Sequence, residues 1–178
     1  MNSIEIKIDK NWLTSGYYVY VVSIVYDNQT YFYIGQTGDN YHQKARAPLY
    51  RIGGHFAKGT STENQIIKYF KTKILANENI ANSEMETRLL EANISYKFWK
   101  IEDFDTSDSP DAHKNKRMKV QAVEHFLIFH LQQEEGNEVL NGTVTNEISA
   151  SKQKYFKGDL SFIAEKGSFI LKELGYEK

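Results

Sequence analysis

The sequence predicts an α+β fold: a small, mainly antiparallel sheet flanked by helices. Three features predict it. Two tyrosine-bearing segments, Tyr18-Val19-Tyr20-Val21-Val22 and Phe32-Tyr33-Ile34-Gly35-Gln36-Thr37-Gly38, flank a turn at Asp27-Asn28-Gln29, whose side chains support tight reversals. A third apolar segment, Tyr96-Lys97-Phe98-Trp99-Lys100-Ile101, reads as a further strand. Helical periodicity occupies much of the remaining chain, above all over about 111–134.

In chain order, Ile4-Glu5-Ile6-Lys7-Ile8 alternates and predicts a short strand within residues 1–13. Strands follow over roughly 16–26 and 30–36. Both parities of 17–25 are apolar, so this strand is expected to be covered on both faces, as a central strand would be. Pro48 opens a short helix, because proline suits a first turn and not an interior. In that helix Leu49, Ile52 and Phe56 form one stripe, while Arg51 and His55 lie four apart on another face. Gly53-Gly54 weakens it in isolation, so tertiary contacts must hold it. Residues 62–93 read as two helices broken near Asn77-Glu78-Asn79. The third strand leads through an acidic turn ending at Ser109-Pro110 into the long helix, which Gly136 and Asn137 end. Val139-Leu140-Asn141-Gly142 is extended, and 155–175 holds a last helix starting near Asp159. Ser149 to Gly158 is the linker candidate within what reads as a single domain.

A length of 178 residues supports a full core, and twelve Tyr with ten Phe make it aromatic-rich. The absence of cysteine excludes disulfides, thiolate metal sites and cysteine nucleophiles. No signal-like start and no apolar run of 18 residues occurs, so the expectation is a soluble cytoplasmic protein without a membrane partner. A net charge of −1 gives no global bias toward nucleic acid. Its distribution is uneven: Lys44, Arg46, Arg51, Lys58, Lys68, Lys71 and Lys73 stand against the single acid Glu63 between Asn40 and Lys73. A second basic run is Lys114, Lys116, Arg117 and Lys119. These runs suit either solvated faces or a phosphate-facing surface.

The long helix contains an anomaly. At about 100° per residue, Val120, Val123, Leu127 and Leu131 form one apolar stripe, and Glu124 falls inside it. A carboxylate on a core-facing stripe is costly unless paired, hydrogen-bonded or bound to metal. The alternative is a glutamate at the edge of the stripe, reaching outward or pairing with a lysine.

Tyr33-Ile34-Gly35 matches the second of the two motifs that name the GIY-YIG nucleases, and Tyr20 matches the first, with Tyr18 where the name has glycine. The chain resembles that family over roughly residues 16–142. The resemblance implies the GIY-YIG fold and divalent-metal-dependent hydrolysis of DNA phosphodiester bonds. It implies that Glu124 holds one Mg²⁺ or Mn²⁺ and that Tyr20 and Tyr33 form the water-activating pair. Arg51 and His55 repeat the four-residue Arg…His spacing of the family's first helix, where the arginine contacts phosphate. A guanidinium suits this role, being always protonated and able to fork two donors onto phosphate oxygens. Arg46 competes for it from the approach loop before Pro48. Asn141 stands where the family tends to carry an asparagine after the metal-binding helix; a plain turn residue is the alternative.

The chain departs from the compact family pattern in several places. Thirteen positions separate Tyr20 from Tyr33, which leaves open whether Tyr18 or Tyr20 faces the site. The loop from Tyr33 to Arg51 is long, a helical insertion covers about 57–93, and a helical extension follows over about 150–178. No helix-turn-helix or zinc finger is visible. Specificity would therefore come from the insertion, the C-terminal segment, a homo-oligomer or a separate partner. Two other readings stay open: a non-catalytic nucleic-acid-binding or interaction module on the same fold, and a small-molecule domain with an aromatic pocket. The latter needs neither Arg51 nor Glu124 beside the tyrosines.

Overall fold

A computed structural model describes residues 6–39, 43–56, 65–76, 79–147 and 160–176. It is an α+β protein whose sheet has four strands: β1 (Gly16–Tyr26), β2 (Gln29–Gln36), β3 (Asn93–Asp103) and β4 (Glu138–Val139). Their spatial order is β3-β1-β2-β4. β1 pairs antiparallel with both β2 and β3, while the two-residue β4 runs parallel to β2, so the sheet is mixed. The hairpin closes through Asp27 and Asn28, with φ of 50° and 61°. Two consecutive left-handed residues make the two-residue turn whose twist matches that of the strands, and Asp and Asn tolerate it.

The apolar character of both parities of β1 has its expected consequence: the strand is central and buried on both faces. Tyr17, Val19, Val21 and Ile34 face a core built with Val120, Val123 and Leu127 of α5 (Pro110–Gln133) and with Ile163 and Ile170 of α6 (Leu160–Glu173). Tyr20, Val22, Ile24 and Tyr33 face the other way. There they meet Ile66 of α3 (Gln65–Tyr69), Phe70 of the π-turn Phe70–Ile74 that continues it, and Met85 of α4 (Asn82–Leu90). α5 begins where Ser109 accepts the Ala112 N–H at 3.2 Å and Pro110 occupies the first turn. The expected break near residue 77 separates α3 from α4, although 77–78 themselves lie outside the described residues.

Two expectations change. Ile6 and Ile8 are exposed and belong to no strand, and residues 1–5 lie outside the described set. A single turn of helix, α1 (Lys10–Leu13), capped by Asp9, follows that segment. The helix opened by Pro48 is α2 (Pro48–Phe56), but its buried members are Pro48 and His55. Leu49 and Ile52 are only half-buried and Phe56 is exposed, so the face carrying His55 packs on the sheet in place of the apolar stripe. The linker candidate at 149–158 and the predicted helix start at Asp159 lie outside the described residues.

The approach to α2 is held from the α5 side. The Tyr17 hydroxyl meets His113 Nδ1 at 2.5 Å, and His113 Nε2–H donates to the Asp39 carbonyl at 3.3 Å. Arg117 donates to the same carbonyl at 3.2 Å, beside the isolated bridge between Gly38 and Ala45. Among the described residues no helix is long and apolar enough to cross a membrane.

Gly167 of α6 lies directly against the Phe126 ring of α5, which a Cβ there would overlap. Gly167→Ala should therefore destabilise by about 1–3 kcal/mol as an overpacking substitution, despite the roughly 1 kcal/mol by which alanine favours a helix interior. Urea unfolding checks this, and an unchanged or higher midpoint would refute it.

Candidate active site

The site grows from Tyr20. The alternation of β1 directs this residue to the α2 side of the sheet, where it has no exposed surface. Its partner across the hairpin is Gly35. A Cβ on Gly35 would overlap both the hydroxyl and the ring of Tyr20, so the missing side chain creates the space in which the phenol lies. Tyr33, two residues earlier on β2, brings its ring to 6.2 Å from that of Tyr20.

α2 supplies the polar partners. One helical turn separates Arg51 from His55, so both reach the same phenol. The Arg51 Nε–H donates to Tyr20 Oη at 3.0 Å. Tyr20 Oη also lies 3.1 Å from His55 Nε2, and His55 Nδ1 lies 3.1 Å from the hydroxyl of Tyr96 on β3. A neutral imidazole donates from one nitrogen and accepts at the other. With Arg51 already donating to Tyr20 Oη, we assign Tyr20 O–H as the donor to Nε2 and Nδ1–H as the donor to Tyr96 Oη. The result is a chain Arg51–Tyr20–His55–Tyr96 that starts at a fixed cation and ends at a half-buried hydroxyl.

The electrostatics follow from burial. Burial pushes the Tyr20 phenol up from 10 to about 12; the Arg51 charge and hydrogen bond oppose this and the Glu124 charge adds to it. Tyr33 is driven well above the ordinary phenol range by burial first, then by Tyr20 and Glu124. Tyr96 also rises through burial, with Tyr33 adding to it and Arg51 opposing. His55 falls to about 3, through burial first and the neighbouring Arg51 charge second, so its ring is neutral at ordinary pH. For Arg51, burial works against the charged form, but Tyr20, Tyr33 and Glu124 outweigh it and raise the pKa. The charges that act at this point are thus Arg51 and Glu124, set among neutral phenols and a neutral imidazole.

The residues singled out in the sequence are arranged as follows. Tyr20 touches Tyr33, Arg51 and His55, and Tyr33 also packs on His55. Glu124 is half-buried on α5, and its charge acts on Tyr20, Tyr33 and Arg51 together. Asn141 spans the outer edge of β2: its carboxamide accepts the Ile34 N–H and donates to the Ile34 carbonyl, both at 2.8 Å. It thereby holds the backbone between Tyr33 and Gly35, which positions the cluster without touching it. Between the two tyrosines left open, Tyr20 is the one in the cluster; Tyr18 directs its hydroxyl to the Thr14 carbonyl at 3.2 Å. Arg46 pairs with Asp39 at 3.6 Å, on the approach loop and apart from the phenols. Lys58 lies outside the described residues.

Sequence reasoning missed Tyr96 and Phe98. Phe98 pairs with Tyr20 in the sheet register, with ring centroids 5.0 Å apart, and Tyr96 ends the hydrogen-bonded chain. The signal was their same-parity spacing on the third strand, but only the register joins that face to Tyr20.

The depressed His55 has a thermodynamic consequence. The unfolded chain takes up this proton near pH 6.5, whereas the folded chain resists until about pH 3. Stability from this group is therefore complete above 6.5 and is lost as pH falls toward 3, by about 1.4 kcal/mol per pH unit within that window. Urea unfolding of the parent and of His55→Gln between pH 6 and 4 should give a steeper acid loss in the parent; equal slopes would refute the neutral, buried assignment. Compared with protein-family models, curated proteins and solved structures, the chain finds no match in any of the three.

Proposed function

We propose that this chain is a divalent-metal-dependent endonuclease that hydrolyses DNA phosphodiester bonds, with a GIY-YIG-type fold and site. One observation carries the proposal. Two phenols, a guanidinium and an imidazole, drawn from β1, β2 and α2, are joined by hydrogen bonds and ring contacts, and the charge of Glu124 on α5 bears on both phenols and the guanidinium. The small-molecule alternative needs neither Arg51 nor Glu124 beside the tyrosines, and both act there.

Hydrolysis requires a base, charge neutralisation at the phosphate oxygens and a stabilised leaving oxygen. Among the described residues no three His, Asp or Glu side chains gather as a metal cage. A cation here would take Glu124 as its protein ligand. That donor set suits Mg²⁺ or Mn²⁺, hard ions that keep several waters and combine one or two carboxylates with substrate phosphate oxygens. When bound, such an ion supplies Lewis-acid stabilisation of the phosphate and the leaving oxygen.

The chain's own residues do the rest. Arg51 uses Nε–H to hold Tyr20, and its terminal amino groups carry further donors and the charge to a phosphate. Tyr20 is a phenol at neutral pH with no exposed surface, so taking a proton from the attacking water requires both that the water reach the buried Oη and that the phenol's own proton move on to His55 Nε2. The Nδ1 proton moves in turn to Tyr96 Oη, whose own proton leaves to solvent. Tyr33 packs against both Tyr20 and His55 and shields this exchange. Asn141 and Gly35 keep β2 in register beneath it.

Nicking of duplex or branched DNA in Mg²⁺ or Mn²⁺ should be abolished by chelator and by Glu124→Ala, with the fold retained by circular dichroism. Undiminished cutting by that variant would remove the metal assignment. No cutting of any DNA in either ion would leave the non-catalytic binding module as the better reading.

The two arginines should separate. Arg51→Ala is expected to lower single-turnover cleavage by at least about 100-fold, the scale of losing one preorganised charge-stabilising donor. Arg46→Ala should act chiefly through affinity, with a shallower salt dependence. The reverse pattern, Arg46 essential to turnover and Arg51 dispensable, would overturn the assignment.

A further inference from the structure

Beside the phenol cluster, and sharing one wall with it, lies a slot of about 250 Å³ walled by Trp12, Tyr18, Pro48, Tyr96 and Phe98. Two exposed polar side chains, Asp9 and Asn11, complete its lining. Tyr96 and Phe98, two apart on the same face of β3, hold their rings within 11° of parallel with centroids 6.1 Å apart. Trp12 and Tyr18 stand steeply to the Phe98 ring, at 69° and 81°. A narrow slot lined by stacked and edge-on aromatic rings is an environment that accepts a flat ring.

The polar lining has the complementary chemistry. The Asn11 carboxamide offers both a donor and an acceptor to a base edge. Asp9 uses Oδ1 to cap α1 by accepting the Asn11 N–H at 2.7 Å, and a carboxylate has a second acceptor oxygen suited to an exocyclic amine. Lys100, paired with Asp103 at 2.9 Å, holds its Nζ 5.8 Å from the Tyr18 ring centroid at the edge of this wall. The slot adjoins the candidate active site, because Tyr96, whose hydroxyl closes the Arg51–Tyr20–His55 chain, also lines it.

We infer that this slot binds an unstacked nucleobase of the strand whose phosphate meets Arg51, so that the preferred substrate is DNA with unpaired nucleotides beside the bond to be cut. The inference rests on the nuclease reading and narrows it to a substrate class. A base inside an intact duplex cannot enter such a slot without being unstacked and unpaired, a cost that an already unpaired nucleotide avoids. Aromatic stacking then contributes to affinity with little regard for sequence.

The test is binding of the full chain, in chelator so that nothing is cut, to a labelled forked DNA, the same fork with abasic positions at the junction, and a fully paired duplex. The fork should bind about tenfold or more tightly than its abasic counterpart. Trp12→Ala should abolish that difference and leave duplex affinity unchanged. Asn11→Ala, a change at an exposed side chain that leaves the core alone, should reduce the preference in the same direction. Equal affinity for the intact and abasic forks would overturn the slot, whatever the variants do. Equal weakening of fork and duplex by Trp12→Ala would do so as well. If the fork and the duplex are both bound and, in Mg²⁺, both cut, while the abasic change has no effect, the slot fails and the nuclease reading survives. If no DNA is bound at all, both fall.

Discussion

The hydroxyl of Tyr20 sits on the central strand with no exposed surface, and a polar atom so placed must be satisfied inside the protein or cost the fold about 1–3 kcal/mol. Much of the local architecture answers that requirement. Gly35 leaves the room in which the phenol lies, Arg51 donates to its oxygen, and His55 accepts its proton. Both partners come from α2, so the helix must turn its polar face inward and leave Phe56 outward. A helix packed that way, with two glycines in its last turns, cannot rely on its own apolar stripe. It is positioned by Pro48 at one end and by the bridge between Gly38 and Ala45 ahead of it.

Burial and charge oppose one another here in an ordered manner. Desolvation keeps the phenols protonated and the imidazole neutral, while Arg51 lowers Tyr20 and depresses His55 further. Glu124 raises both phenols and supports the Arg51 cation. A site of this kind holds one positive and one negative group at fixed positions among neutral hydrogen-bonding groups. Such groups can pass protons without large changes of charge in a low-dielectric setting.

The sheet divides the work between its faces. One face packs on α5 and α6 and provides the broad apolar core on which the central β1 rests. The other carries Tyr20 and Tyr33 beneath α3 and α4. Glu124 belongs to the helix of the first face, yet its charge acts on the groups of the second. The tyrosine–histidine pair of the first face, Tyr17 and His113, plays a different part and ties α5 to the loop that delivers α2.

The local sequence by itself determined the hairpin, because Asp27 and Asn28 accept the left-handed turn and the flanking segments favour strands. It determined that β1 is central, since both parities are apolar, and that a long helix starts at Ser109-Pro110 and carries Glu124 among apolar neighbours. It did not determine which face of α2 is buried: Leu49, Ile52 and Phe56 read as the inner stripe, and the structure turns His55 inward instead. It left Tyr18 and Tyr20 equivalent, joined neither Tyr96 nor Phe98 to the site, and could not tell that Asn141 serves Ile34. The physical reason is common to all of these. Periodicity along the chain encodes how apolar each face is, whereas the face that is finally buried depends on which distant group satisfies a polar atom there. That pairing exists only once strands from residues 16, 29 and 93 onward lie side by side.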